Sequence, residues 1–243
     1  MLLQGGIAIP PEMSSFTFKH FVVKQDRCAM KVGTDGVILG AWATAKEGKI
    51  LDVGTGTGLI ALILAQRTKT AEILGVEIDQ SAAQQAQENV HSSLWNDRIS
   101  IINKDVFSLD ASFGFDEIIS NPPYYIHSPA SSSKQRDTAR KAMPDFYGNL
   151  VKFVCVHLND DGVFEVILPE NIKDDFIYLC WENDLYLSRQ TLVYTKEGKQ
   201  AKRALLCFTR HQCDVQKDVL VMMNAQNEKT DSYKRLIKDL YLD

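Results

Sequence analysis

The chain has 243 residues, of which 45% are hydrophobic and 24% charged, with a formal net charge of −4. These values fit one large domain of an ordinary globular protein and exclude a generally basic nucleic-acid coat. No apolar run approaches the roughly 20 residues needed to cross a bilayer, and five cysteines without a C-x-x-C pair argue against a disulfide framework or a zinc site. A reducing, cytoplasmic setting without a metal is expected.

Residues 1–15 read as a flexible lead-in, with no basic region and apolar stretch of a secretory signal. Residues 16–243 are expected to form a single domain in which 16–48 extend ahead of the first sheet strand. KILDVGT is a short buried strand stopped by Gly54, and GLIALILAQRT has the length and leucine and alanine content of a helix. AEILGVEID is the next strand, with Ser81 as the expected N-cap of the helix AAQQAQENVHSS. RISIINKDV and FDEIISN are strands, and a helix over 145–158 leads through Asp161–Gly162 to the strand VFEVILP. ENIKDDFIYLCWEND is helical, and RQTLVYTK and RALLCFTR close the pattern as strands.

Strands alternating with helices predict an α/β fold, a parallel sheet covered on both faces. The last two strands are joined by EGKQAK, too short for a helical crossover, so an antiparallel hairpin is expected at the C-terminal edge. The serine-rich stretch 128–141 is the expected mobile loop.

LDVGTGTGL places Gly54, Gly56 and Gly58 between a strand and a helix. Glycine tolerates positive φ and lets a backbone approach a ligand, and a helix N-terminus offers free N–H groups. The spacing is G-x-G-x-G, not the dinucleotide fingerprint G-x-G-x-x-G. Asp52 precedes it, and a carboxylate suits a ligand with an ammonium group better than a pyrophosphate. S-adenosylmethionine is such a ligand. Glu77, ending the second strand about twenty residues on, is placed to accept from both ribose hydroxyls, and Asp105, ending the third, from the adenine amino group. Asp105 reads also as a loop cap.

The strand FDEIISN runs into NPPYY, a corner whose prolines must end it. Asn121 supplies an amide oxygen and Pro122 a carbonyl, two acceptors for both protons of an NH₂ group, while Tyr124 offers a face for a base to stack on. The expected catalytic work is positioning by Asn121, Pro122 and Tyr124, with Asn121 also facing the cofactor.

NPPY resembles the [DNS]-P-P-[YFW] motif of amino-group methyltransferases. FTFKHFVVKQDRCAMKVGTDGVILGAW, LDVGTGTGLIALILAQRT, AQEN, ISNPPYY and LPE together are similar to the bacterial tRNA(Val) adenosine-37 N6-methyltransferases, over essentially the whole chain beyond the lead-in. The resemblance implies a Rossmann-like seven-stranded methyltransferase sheet, S-adenosylmethionine as donor, and the anticodon stem-loop of tRNA(Val) as partner; the sequence leaves the oligomeric state open, a monomer included. It also implies that Lys31, Gly33, Thr34 and Asp35 pack over the methionine end of the cofactor, although as residues they read equally as a helix-initiating turn capped by Asp35. Three basic clusters are candidates for phosphate contacts: Lys19, His20, Lys24, Arg27 and Lys31; Lys134, Arg136, Arg140 and Lys141; and Lys196, Lys199, Lys202 and Arg203.

A glutamine-amide methyltransferase acting on a release factor would use the same acceptor pair, but resembles an architecture with a helical N-terminal domain; only about fifty residues precede the glycine turn here. A DNA adenine methyltransferase would need a separate recognition domain. A non-catalytic nucleotide-binding module would leave Asp52, Glu77 and NPPYY without purpose.

Overall fold

The computed structural model describes residues 15–28, 31–110, 113–123 and 146–242. Strands β1 (Ser15–Thr17) and β2 (Val22–Lys24) form a small antiparallel hairpin ahead of the main sheet. Then follow α1 (Thr34–Trp42), β3 (Lys49–Val53), α2 (Leu59–Arg67), β4 (Glu72–Glu77), α3 (Gln80–His91), β5 (Ile99–Asn103) and β6 (Phe115–Ser120). A helix over 146–157, α4, precedes β7 (Leu158–Pro169), and α5 (Lys173–Trp181), β8 (Tyr186–Lys196), β9 (Arg203–Thr209), β10 (Gln216–Met223) and α6 (Asp231–Ile237) complete the chain.

The sheet runs in the order β10-β8-β9-β7-β6-β3-β4-β5. Only β9 opposes its neighbours; it is antiparallel to both β7 and β8. The α/β fold expected from the sequence is therefore present, with two refinements. The sheet has eight strands rather than seven, and the C-terminal hairpin is not the edge, because β10 pairs in parallel with β8 and covers it. The signal for β10 was weak: QKDVLVMM carries three charged or polar residues before its apolar end, and its burial pattern is correspondingly half-exposed.

Successive strand residues point to opposite faces, and here both faces are covered. Ile50, Ile119, Ile167 and Leu205 join one core, with α1, α2, α3 and α6. Leu51, Ile118, Val166 and Leu206 join the other, with α4 and α5. This is why the strands read as nearly continuous apolar runs and not as alternating ones. Helix α2 is apolar all round because it lies between the sheet and α1, and Leu59 through Ala65 are all buried. Gly36 and Gly40 of α1 make that close packing possible, since a Cβ on them would meet Leu59 at 3.2 Å and Ile63 at 3.0 Å.

The hairpin β1–β2 is fastened by aromatic rings. Phe18 stacks on Phe21 with centroids 4.6 Å apart, Phe16 and Phe18 meet Tyr241, and Phe21 meets Trp95 edge-on. Residues 1–14 of the expected lead-in lie outside the described residues, and Ser15, its last residue, already belongs to β1. The loop 128–141 also lies outside them.

Candidate active site

The carboxyl ends of β3, β4, β5 and β6 come together along one edge of the sheet, where parallel α/β sheets bind ligands. At the end of β3 the chain turns through Gly54, Gly56 and Gly58 with φ of 70°, 58° and 81°. All three lie in the left-handed region that favours glycine. A Cβ on Gly54 or Gly56 would project into open space, whereas one on Gly58 would touch Ala86 at 3.4 Å. Two of the glycines thus form an open cradle, and the third lets α3 pack close. The turn is anchored by Gly54 and Thr55, whose N–H groups donate to the Val76 carbonyl at 2.9 and 3.1 Å.

Glu77, at the end of β4, braces the same turn. Its carboxylate accepts from the Gly56 N–H and the Asp79 N–H, both at 2.9 Å. Asp52, at the end of β3, lies behind the turn. Its side chain is wholly buried beneath the turn, outside the cavity lining, and Oδ2 accepts from the Thr55 hydroxyl at 2.6 Å and the Ala61 N–H at 3.2 Å. Burial pushes its carboxyl up from 3.8 to about 7, against the pull of those two donors. The buried carboxyl braces the turn and the start of α2 through Oδ2. Asp105 caps the short turn 106–108, accepting from the Phe107 N–H at 3.0 Å, while remaining exposed at the end of β5. The N-cap of α3 is Asp79, accepting from Ala82 at 2.8 Å, in place of the expected Ser81.

Two residues escaped the sequence reading. Gln85 and Asn89 are buried amides on α3. Asn89 accepts from the Lys24 N–H and donates to the Lys24 and Thr57 carbonyls, each at 2.9 Å, while Gln85 accepts from the Arg27 N–H at 2.9 Å. They therefore tie the end of β2 and the segment after it to α3, and Asn89 also ties them to the glycine turn. Polar residues four apart on the apolar side of an amphipathic helix were the available signal.

The glycine turn, the start of α1 and the β8–β9 hairpin enclose a cavity of about 610 Å³. Lys31, Gly33, Thr34, Asp35, Gly54, Gly56 and Asn121 of the expected site line it; Gly58, Glu77, Asp105 and Pro122 do not. Helix α1 starts after Gly33 without a side-chain cap, so Asp35 is not its cap. Asp35 instead accepts from the Arg203 Nε at 2.8 Å, joining α1 to β9 across the cavity rim. Asn121 and Pro122 follow the end of β6, and Asn121 Nδ2 lies 3.9 Å from the Cβ position of Gly36. Tyr124 lies outside the described residues, as do Lys134, Arg136, Arg140 and Lys141. Of the other basic candidates, Arg27 pairs with Glu88 and Lys196 with Asn227, while Lys31, Lys202 and Arg203 line the cavity.

Behind α1 a second polar network secures the link from α1 to β3. Glu165 of β7 is fully buried and accepts from the Thr44 N–H and hydroxyl and from Arg189 at 2.9 Å. Arg189 stacks over Trp42 at 3.7 Å from the ring centroid. Glu117 of β6, equally buried, accepts from the Lys46 N–H at 2.7 Å, and its carboxyl is pushed upward by burial and by Glu165.

Strand order, a glycine cradle at the first sheet crossover and an amide-led corner at the end of β6 define a class: a methyltransferase-type α/β domain. Solved structures agree on the fold. A predicted O-methyltransferase from Agrobacterium tumefaciens superposes with a TM-score of 0.66 at 18% identity, over 85% of this chain and 96% of that one. A glycopeptide N-methyltransferase complexed with S-adenosylmethionine gives 0.56 at 11% identity, over 75% and 90%. The methyltransferase small domain family matches residues 31–144. Among curated proteins, the tRNA1(Val) (adenine(37)-N6)-methyltransferase of Bacteroides thetaiotaomicron is 43% identical over 93% of this chain and 97% of its own length. That of Mannheimia succiniciproducens is 42% identical over 95% of each. The chain belongs to the tRNA1(Val) (adenine(37)-N6)-methyltransferase family. Among the described residues no helix is long and apolar enough to cross a membrane, and no group of side chains is suited to hold a metal ion.

Proposed function

We propose that this chain transfers a methyl group from S-adenosylmethionine to N6 of adenosine 37 in the anticodon loop of tRNA(Val). The observation that carries the reading is the shared cavity: Asn121 of the proline corner and the open cradle of Gly54 and Gly56 line the same space. Relatives of that name, 41–44% identical over nearly the whole chain, support the substrate.

The residues fit the cofactor. Gly54 and Gly56 leave room where any side chain would intrude, so backbone can approach a nucleoside directly. Glu77 spends one hydrogen bond on each oxygen in bracing the turn and keeps lone pairs for ribose hydroxyls. Asp105, exposed at the end of β5, keeps an acceptor for the adenine amine. Lys31, Gly33, Thr34 and Asp35 wall the side assigned to the methionine end. When bound, S-adenosylmethionine supplies an electrophilic methyl on a sulfonium.

The rest is positioning. The amide oxygen of Asn121 and the carbonyl of Pro122 accept the two protons of the adenine amine, which directs its lone pair away from them and toward the donor. The adjoining prolines hold these acceptors with little freedom and no competing N–H. Tyr124 is assigned the stacking face for the extruded base on chemical grounds. An unpaired loop nucleotide is cheap to extrude.

The test is transfer of radiolabelled methyl to unmodified tRNA(Val) and to the same transcript with guanosine at position 37. Label on the first alone is expected; label retained on the second rejects the assignment.

A further inference from the structure

The cavity reaches beyond the glycine cradle to the start of β9, where its wall is basic. Its lining carries three cations, Lys31, Lys202 and Arg203, against one carboxylate, Asp35. The methionine end of the cofactor has a single carboxylate, which Lys31 on that side can meet, and Arg203 is paired with Asp35; Lys202 on the opposite wall suits an RNA phosphate. The placement of two of those cations is informative. Lys202 and Arg203 sit where β9 begins: Arg203 pairs with Pro169 at the end of β7, and the Lys202 carbonyl accepts from the Glu170 N–H at 3.2 Å. Along the carboxyl edge the order is therefore β3 with its glycines, β6 with Asn121, β7, and then β9 with the basic pair. Neighbouring strands lie about 4.8 Å apart, which puts β9 about 10 Å beyond β6 on the side away from the cradle. That is the span of one nucleotide from its exocyclic amine to its phosphate.

Arg203 is also fixed in direction. Its Nε donates to Asp35 at 2.8 Å and its Nη1 to the Lys202 carbonyl at 3.0 Å. The guanidinium thus holds the hairpin against α1, and Lys202, exposed at the rim, is carried on the same turn.

We propose that Lys202 binds a phosphate flanking the target nucleotide, with Arg203 as its positioning residue, so that the base amine reaches Asn121 while the backbone is held at β9. The inference deepens the proposed function and rests on it for the identity of the RNA.

The experiment measures binding of the A37 anticodon stem-loop of tRNA(Val) by fluorescence anisotropy without cofactor, and binding of S-adenosylhomocysteine by calorimetry. Lys202→Ala should weaken RNA binding about fivefold to tenfold and lower the slope of log affinity against log salt by about 0.7, one phosphate contact on a single strand. Lys202→Arg should restore both, and cofactor affinity should stay within about twofold. Placing an uncharged methylphosphonate at each phosphate flanking nucleotide 37 in turn should, at one of them, abolish the penalty of Lys202→Ala. An unchanged salt slope, a penalty that survives both methylphosphonates, or a loss of cofactor affinity with RNA affinity intact would each overturn the assignment. Because these readouts are binding, wild-type protein that holds the stem-loop yet methylates nothing would reject the catalytic reading separately.

Discussion

Alanine at Gly56 and alanine at Gly58 should both destabilise the fold, but only the first should weaken cofactor binding, although the two residues are two positions apart in one turn. At Gly56, φ is 58° and an added Cβ meets nothing within 4 Å. The left-handed conformation costs an alanine about 1–2 kcal/mol. For a chain of this size a loss of about 1 kcal/mol lowers Tm by about 2–4 °C. The methyl would stand in the cradle where backbone is to meet the cofactor, and losing about 1.4 kcal/mol there is tenfold in affinity. At Gly58 the φ of 81° carries a similar strain, but the methyl presses on Ala86 at 3.4 Å and faces α3, not the cavity. Thermal melting and calorimetric titration with S-adenosylhomocysteine separate the cases. Gly56→Ala should melt a few degrees low and bind at least about tenfold more weakly, and Gly58→Ala should melt at least as low and bind within about threefold of wild type. Equal affinity losses in both variants, or none at Gly56, would refute the division into cradle and packing glycines.

Asn121→Ala should lower the single-turnover methylation rate by about a hundredfold or more, because a misplaced acceptor undoes the alignment, with cofactor affinity nearly unchanged; a near-normal rate would remove the amide from the mechanism. Asp52 has a folded-state value of about 7 against 3.8 for the free side chain, so the folded chain keeps a proton that the unfolded chain releases. Stability is then complete below about pH 4 and declines as pH rises towards 7, by up to about 1.4 kcal/mol per unit from this residue. Glu117, also raised, acts in the same direction. Asp52→Asn should flatten the urea-midpoint profile between pH 5 and 7 (about two units inside that window); a variant as steep as wild type would exonerate the residue. Glu165→Ala leaves Arg189 and the Thr44 N–H facing a buried gap and should cost about 3–5 kcal/mol in chemical denaturation, and a loss below about 1 kcal/mol would mean that the link from α1 to β3 is held by other contacts.

The reach of the sequence differs from element to element. Strands β3, β4 and β6 were legible because ILDV, EILGVE and FDEIIS are compact aliphatic runs bounded by glycine, acid or proline. Strand β10 was not, since only Leu220 of it is buried and its pairing to β8 is a long-range event with no local signature. Gly54, Gly56 and Asn121 line one cavity, as a turn after one strand and a corner after another both lie at the carboxyl edge of a parallel sheet. Asp52 was legible as part of the turn, and its burial beneath that turn was not. One carboxylate can face a ligand or brace a backbone, and spacing along the chain is the same for both.

Short stretches of chain carry the available chemistry: a left-handed glycine turn, an amide and a carbonyl at a proline corner, acids at three strand ends. These follow from local backbone sterics and from which atoms each side chain carries. Which of those groups share one space was decided only by tertiary structure. The Asp35–Arg203 pair joins residues 168 positions apart, and the sheet order sets Asn121 between the cradle and the basic start of β9. Distances across a sheet depend on which strands pair, and pairing is won by burial of both faces, a sum over the whole core that no short stretch of chain contains.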